Sequence, residues 1–169
     1  MITLADLNRD SCSQFVARVG GIFEHSPWVA ERAWDARPFT DVADLHAKMT
    51  AAMRAAPHRQ QLALLRAHPE LAGKAMVSNT LTADSTNEQM RSGLTHCAPE
   101  ELAALQRLNA AYNGKFGWPF IAAVKYMDRA GIIRLFTERL ENDAAGEFEE
   151  CLANIEKITR WRLDEQVRE

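Results

Sequence analysis

The 169-residue chain has little of what several specialised protein classes require. Its 3 cysteines are odd in number and widely spaced, without a Cys-x-x-Cys pair, so neither a disulfide framework nor a zinc or redox motif is indicated. Glycine is scarce, and no alternating apolar and polar run is typical of a β-strand. No apolar run could span a membrane, and the first residues lack a signal-peptide pattern. We therefore expect a cytoplasmic protein without a membrane partner.

An excess of positive charge is also missing. The net charge is −3, which argues against a nucleic-acid partner, because such binding needs a basic face. The sequence contains no His-Glu-x-x-His, glycine-rich nucleotide loop or Gly-x-Ser-x-Gly motif, and its histidines have no metal-ligand spacing. The 47% hydrophobic and 25% charged residues are ordinary for a soluble globular protein, and we expect one domain over residues 1–169.

What the chain does have is helical periodicity over most of its length. Apolar side chains recur at helical spacing, and caps and prolines mark the breaks. We predict the fold class as all-α, a single-domain bundle of roughly eight or nine helices joined by short connections. The predicted helices cover about 13–23, 26–36, 41–56, a segment ending at 68, 82–91, 99–115, 120–127, 131–140 and 145–166, with a loop at 70–81.

His68 is the first candidate for chemistry. Pro69 forces the residue before it out of helical geometry, so the imidazole lies at the end of a helix, where the macrodipole favours its protonated form. A protonated imidazole can act as a general acid near neutral pH. The alternative is a histidine that only caps the helix end, and residue type and position do not decide between the two.

A second candidate is the run Ser85-Thr86-Asn87-Glu88-Gln89. Ser85, Glu88 and Gln89 lie on one helical face, so a hydroxyl, a carboxylate and an amide project together and could bind a ring with several carbonyl and N–H groups. Ser-x-x-Glu is also the capping-box pattern, with Ser85 as N-cap. The spacing alone favours the cap, although a cap has no need of Gln89.

The third candidate is the segment Lys115–Val124, in which Gly117 and Pro119 bracket an aromatic residue at a helix break. A helix that restarts at Phe120 would present free backbone N–H groups to a carboxylate or carbonyl oxygen. The alternative is a tight corner between helices whose aromatic side chains fill the core. Taken alone, the corner is favoured.

Together these motifs resemble the 2-oxo-4-hydroxy-4-carboxy-5-ureidoimidazoline (OHCU) decarboxylase family. The resemblance rests on His-Pro-Glu-Leu-Ala-Gly-Lys at 68–74, Leu-Thr-Ala-Asp-Ser-Thr-Asn-Glu-Gln at 81–89, and the run 108–121 that ends in Phe-Gly-Trp-Pro-Phe-Ile. Residues 23–30 and the closing run 158–163 fit as well. The motifs occur in order over nearly the whole chain, which makes them far more specific together than any one alone.

The resemblance implies the last step from urate to allantoin, which releases CO2 and gives (S)-allantoin. It implies no cofactor and no metal, a small ureidoimidazoline substrate, and a homodimer. His68 would be the catalytic acid and Glu88 its partner, and Arg162 would be the basic contact, with Arg160 as its rival. The residues implied to line the substrate pocket are Pro69, Ser85, Thr86, Asn87, Glu88, Gln89, Phe120, Ile121, Ala122, Ala123, Val124 and Arg162.

Two other functions remain open from the residues themselves. One is a helical ligand-binding or protein-interaction module, in which Ser85-x-x-Glu88 is only a cap. The other is a related lyase or hydrolase of ureido compounds on the same scaffold. Whether His68 or a bound water would protonate the carbon is also open.

Overall fold

The computed structural model describes residues 2–169, apart from the side chains of Ala75 and Val77. It confirms the all-α class. Within the described residues there are nine helices of six residues or more, one four-residue helix, one short 3₁₀ helix and two two-residue strands. The α-helices are α1 Leu4–Arg9, α2 Cys12–Val19, α3 Trp28–Trp34, α4 Val42–Arg54, α5 His58–Ala67, α6 Lys74–Val77, α7 Ala83–Arg91, α8 Pro99–Phe116, α9 Arg129–Arg139 and α10 Ala144–Gln166. The 3₁₀ helix is Leu94–His96, and the strands are β1 Ile2–Thr3 and β2 Val167–Arg168.

The chain folds as two compact units. Unit 1 is the chain up to Ala67 together with Ile155–Glu169, and unit 2 is His68–Asn154. In unit 1, β1 and β2 pair in parallel, with Ile2 opposite Val167, and α3 packs on both α2 and α4. None of the helices within residues 2–169 is long and apolar enough to cross a membrane.

Unit 2 is built around a group of aromatic side chains. Phe120 stacks on Phe136 with ring centroids 3.8 Å apart, and Tyr112 packs edge-on against both rings, at 5.3 Å and 5.7 Å. Trp118 lies against Phe116 at 5.6 Å. Aromatic rings bury large apolar areas, and edge-to-face pairs add to that stabilisation, so this cluster is the main core of the unit.

Helix boundaries follow local hydrogen-bonding chemistry. Asp41 caps α4 by accepting from the Asp44 N–H at 2.7 Å, and Asp128 caps α9 in the same way. Ser26, where the second helix was predicted to begin, does not cap α3. Its hydroxyl donates to the Glu24 carbonyl at 3.0 Å, and Pro27 is the N-cap residue of α3 without a side-chain bond. The short helix α6 lies within the loop predicted at 70–81.

Candidate active site

His68 lies directly after the last residue of α5, as predicted from the steric effect of Pro69 on the residue before it. It is the first residue of unit 2, and only 8% of its surface is exposed. An imidazole at a surface helix end would remain largely in water. Burial of this one therefore favours a role inside the protein over simple capping.

The helix that carries the second candidate run begins three residues earlier than a Ser85 cap would require. Thr82 is the N-cap of α7, and its hydroxyl accepts from the Ser85 N–H at 3.3 Å. The capping-box interpretation of Ser85 and Glu88 is therefore wrong, because Ser85 is already inside the helix. Ser85 and Gln89 are buried on one face and Glu88 is half-buried.

The other two residues of the run lie apart from that buried face. Asn87 is exposed. The Thr86 hydroxyl donates to the Thr82 carbonyl of its own helix at 2.9 Å. Only part of the predicted run therefore faces the interior of unit 2.

Gln89 joins α7 to the loop that follows His68. Its Oε1 accepts from the Ala72 N–H at 2.9 Å, and its Nε2 donates to the Glu70 carbonyl at 3.4 Å. Asn109 on α8 donates to the Leu71 carbonyl at 2.9 Å, so three successive loop residues are held by two buried amides. These bonds give Gln89, which the sequence indicated as a ligand contact, a part in fixing the loop as well. Asn109 was not identified from the sequence.

A cavity of about 510 Å³ opens between this loop and α8. This volume is in the range of small-molecule sites. The residues described along its wall are Glu70, Gly73, Lys74, Gln106, Asn109 and Ala110. Glu70 is fixed there by the Asn113 amide, which donates to Oε1 at 2.6 Å.

The Phe120–Val124 segment is not helical, so the helix predicted at 120–127 is wrong. Gly117 ends α8 with a φ of 77°, in the left-handed region that favours glycine, and the chain then runs irregularly to the start of α9. Phe120, Ile121, Ala122 and Val124 are buried, and Ala123 is half-buried. The interpretation as a tight corner filled by aromatic side chains is confirmed.

Beside this segment lies a buried ion pair that was not identified from the sequence. Arg139 is 4% exposed and Glu147 is fully buried; the Arg139 Nε and Nη2 donate to Glu147 Oε1 at 2.9 Å and 2.5 Å. The Tyr112 hydroxyl makes a short hydrogen bond to the same oxygen, and the Asn142 amide donates to Oε2 at 2.8 Å. We call Arg139, Glu147, Tyr112 and the adjoining Cys151 the buried polar centre.

The buried polar centre also contacts the irregular segment. Arg139 Nη1 donates to the Ile121 carbonyl at 2.7 Å, and its guanidinium lies 4.5 Å from the centre of the Phe120 ring. From α10, Asn154 Oδ1 accepts from the Ala123 N–H at 3.0 Å. Two backbone groups of the segment are therefore bonded to side chains of α9 and α10.

Tyr112, Cys151 and Arg139 of the buried polar centre each have a raised pKa. Burial raises the pKa of Tyr112 far above its usual range and also raises the pKa of Cys151. Burial opposes the charge of Arg139, but hydrogen bonds to Glu147 and nearby negative charge raise its pKa. Arg139 is therefore a permanent cation, while the phenol and the thiol stay protonated.

A sequence signal for Arg139 existed. It follows Phe136 by three positions and Ile132 by seven, and both of those residues are buried. A charged residue on the apolar stripe of a helix needs a buried partner. The partner, Glu147, lies on the next helix, α10. Because the pair depends on how the two helices pack, it could not be predicted from the sequence alone.

Arg162 and Arg160 belong to unit 1 and have different environments there. Arg162 is 3% exposed; its Nη1 donates to Glu24 Oε2 at 2.7 Å and to the Ile22 carbonyl at 3.3 Å. Arg160 is partly exposed and pairs with Asp164 one turn along α10 at 2.9 Å. Of the two, Arg162 is the buried cation. Within residues 2–169, no group of three or more His, Cys, Asp or Glu side chains is placed to hold a metal ion.

Comparison with known proteins gives a consistent result. The chain is 38% identical over 169 residues to the uric acid degradation bifunctional protein PucL of Bacillus subtilis, covering all of this chain and about a third (33%) of that protein. It is 36% identical over 164 residues to the 2-oxo-4-hydroxy-4-carboxy-5-ureidoimidazoline decarboxylase of Halalkalicoccus jeotgali, covering 97% of this chain and 91% of the relative.

A solved structure of (S)-allantoin synthase is similar over 99% of this chain and 54% of its own, at 26% identity and a TM-score of 0.78. The family model for OHCU decarboxylase matches residues 8–164. With the ordered motifs and the helical fold, these matches make the chain a member of the OHCU decarboxylase family.

Proposed function

We propose that this protein decarboxylates 2-oxo-4-hydroxy-4-carboxy-5-ureidoimidazoline to (S)-allantoin and CO2. Membership of the family supports the reaction, as do the relatives that carry the name of this decarboxylase. The solved (S)-allantoin synthase, similar over almost the whole chain, supports the same product. The place of the reaction is urate degradation, to which the name of the Bacillus relative refers.

The chemistry needs few protein groups. The carboxylate of the substrate is attached to a carbon next to a ring C=N, so the electron pair of the breaking C–C bond can move into the ring as CO2 leaves. The carbon that loses CO2 carries the hydroxyl and becomes a ring carbonyl, and one proton is added on one face of the neighbouring ureido-bearing carbon to give the S product. The protein has to orient the carboxylate, stabilise the developing charge and deliver the proton.

We assign the proton delivery to His68 and its orientation to Glu88. His68 is a buried imidazole after α5, and Glu88 lies on α7 next to Gln89, whose amide holds the loop that begins at His68. This link between α7 and the His68 loop is the observation that carries the assignment, because it fixes the backbone on which both side chains depend. Arg162 is the proposed contact for the substrate carboxylate, and Pro69, Ser85 and the Phe120–Val124 segment are proposed to line the pocket.

The reaction can be tested directly. Urate oxidase and hydroxyisourate hydrolase generate the unstable substrate in the cuvette, and circular dichroism then follows the optical activity of allantoin. We expect this protein to accelerate the appearance of (S)-allantoin. An unchanged rate with racemic product would refute the proposed activity and favour a binding or interaction module.

The two assigned residues are tested with variants that change charge and proton transfer but little volume. We expect His68→Asn and Glu88→Gln to lower turnover by about 10²–10⁴-fold, the usual contribution of a positioned acid, while the far-UV circular dichroism stays unchanged. His96→Asn and Glu100→Gln alter exposed residues and serve as matched controls. Near-normal turnover in His68→Asn would assign the proton to a bound water instead.

We also propose a homodimer in the cytoplasm. Tyr126 and Met90, which are 75% and 52% exposed in unit 2, are the large apolar side chains proposed to contact a second copy. The three cysteines are free thiols, which fits a reducing compartment. Light scattering of the purified protein and fractionation of the native cells test these two points.

A further inference from the structure

The Phe120–Val124 segment is buried without the backbone hydrogen bonds of a helix or a sheet. Four of its five residues are buried, yet it is neither helix nor strand, so its backbone groups have no helical or sheet ladder. Buried backbone N–H and C=O groups need hydrogen-bond partners, because leaving one without a partner destabilises the fold. Side chains from elsewhere in unit 2 therefore decide where this backbone lies.

Arg139 is one of those side chains. Its guanidinium is forked: Nε and Nη2 bind Glu147, while Nη1 donates to the Ile121 carbonyl at 2.7 Å. Glu147 is itself fixed by Tyr112 and Asn142, so the position of the guanidinium is set by three neighbours that do not belong to the segment. The Ile121 carbonyl is bonded to a group that cannot easily move.

A buried ion pair is a costly way to stabilise a fold. Replacing such a pair with apolar side chains of similar volume is often neutral or stabilising, because both charges lose their hydration on folding. What an apolar replacement for Arg139 could not do is donate a hydrogen bond to Ile121. The buried polar centre therefore performs a task that the aromatic core of unit 2 cannot perform.

Asn154 gives a second point of attachment. Its Oδ1 accepts from the Ala123 N–H at 3.0 Å, and its Nδ2 donates to Glu150 on the same helix at 2.8 Å and 2.9 Å. The attached groups, the Ile121 carbonyl and the Ala123 N–H, lie on either side of Ala122. The backbone on both sides of that residue is thus fixed, by a cation on α9 and an amide on α10.

We propose that Arg139 and Asn154 are positioning residues that hold the Phe120–Val124 segment in the geometry that binds substrate. The expected effect on catalysis rests on the proposed function. The expected effect on the position of the segment rests on the hydrogen bonds alone. Glu147 acts through Arg139 by fixing its fork. None of the three needs to touch the substrate.

The test compares Arg139→Lys and Asn154→Ala with the whole wild-type protein. A lysine keeps the positive charge beside Glu147 but has no fork with which to reach Ile121 as well. Arg134→Lys is the matched control, because Arg134 is exposed on the same helix. Asn154→Ala removes no buried charge, so it keeps the test decisive if Arg139→Lys fails to fold.

Two measurements are made on each variant. Hydrogen exchange by mass spectrometry should show faster exchange in peptides covering 120–124, with α8 peptides unchanged. A displacement of about 1 Å in a binding segment can cost about 10²-fold, so we expect kcat/KM to fall by about 10- to 100-fold, mostly through KM. The Arg134→Lys control should match the wild type in both.

The outcomes separate this proposal from the proposed function. Wild-type exchange over 120–124 in both variants would overturn the proposal, as would faster exchange with unchanged kcat/KM. If the wild-type protein itself shows no turnover, the proposed function fails, and the exchange data still decide whether the two side chains hold the segment.

Discussion

The buried pair between Glu24 and Arg162 allows a quantitative prediction of stability. Both side chains are almost wholly buried, at 1% and 3% exposed, and their N–O distance is 2.7 Å. Glu24→Gln keeps the shape of the side chain but removes the negative charge that lies against the Arg162 cation. Two unit charges about 4 Å apart attract by about 4 kcal/mol at an effective dielectric constant near 20. In other proteins, removing one partner of a buried ion pair costs about 3–5 kcal/mol, which agrees with this attraction energy.

The assay is urea unfolding followed by far-UV circular dichroism and tryptophan fluorescence. We expect Glu24→Gln to lower the free energy of unfolding by about 3–5 kcal/mol, a large part of the usual 5–15 kcal/mol. The matching fall in melting temperature is about 6–20 °C for a chain of this size. The double variant Glu24→Gln/Arg162→Met should recover at least half of the loss, because it removes both charges of the buried pair together.

The same helix supplies the control. Arg160 pairs with Asp164 at 2.9 Å, but both side chains are substantially exposed, at 37% and 45%. Solvent screens such a pair, so Asp164→Asn should change stability by less than about 1 kcal/mol. If Glu24→Gln proves as mild as Asp164→Asn, burial does not have the effect claimed for it.

Two further predictions concern other buried groups. Gln89→Leu leaves the Ala72 N–H without its acceptor, so we expect a loss of about 1–3 kcal/mol and faster exchange of that amide; a loss below about 0.5 kcal/mol would contradict the role of Gln89 in holding the loop. Burial lowers the pKa of His46, although its bond to the Glu156 carbonyl acts in the opposite direction. The unfolded state therefore binds this proton more readily, so stability should fall as the pH drops below about 6.5. His46→Gln should flatten that part of the pH–stability curve, and an unchanged slope would exclude His46 as its source.

The sequence predicted helix ends correctly where they depend on residues that are close together in the chain. Pro69 ends α5 before His68, Pro99 and the acidic first turn open α8, and Asp41 caps α4. Each of these features depends on residues within a few positions of one another. The sequence analysis did not predict α1 or β1. With six and two residues, these elements are too short to show a periodic pattern.

Features that depend on distant partners were not predictable in the same way. The segment after Pro119 has helix-forming residues, yet the buried polar centre bonds its backbone in an irregular path, and that centre joins α8, α9 and α10. The role of Gln89 in holding the loop depends on Ala72, seventeen positions earlier. The roles of His68 and Glu88 came from a resemblance, and they remain a proposal that turnover measurements must test.

The locked protonation states around Arg139 simplify any kinetic titration of this protein. The raised pKa values of Tyr112 and Cys151 keep both groups neutral through the range near pH 6–8, and Arg139 stays charged there. The protonation states of these three groups therefore do not change when the pH is varied in this range. An inflection of kcat/KM in that range has to come from the substrate or from other ionisable side chains, with His68 the first to be examined.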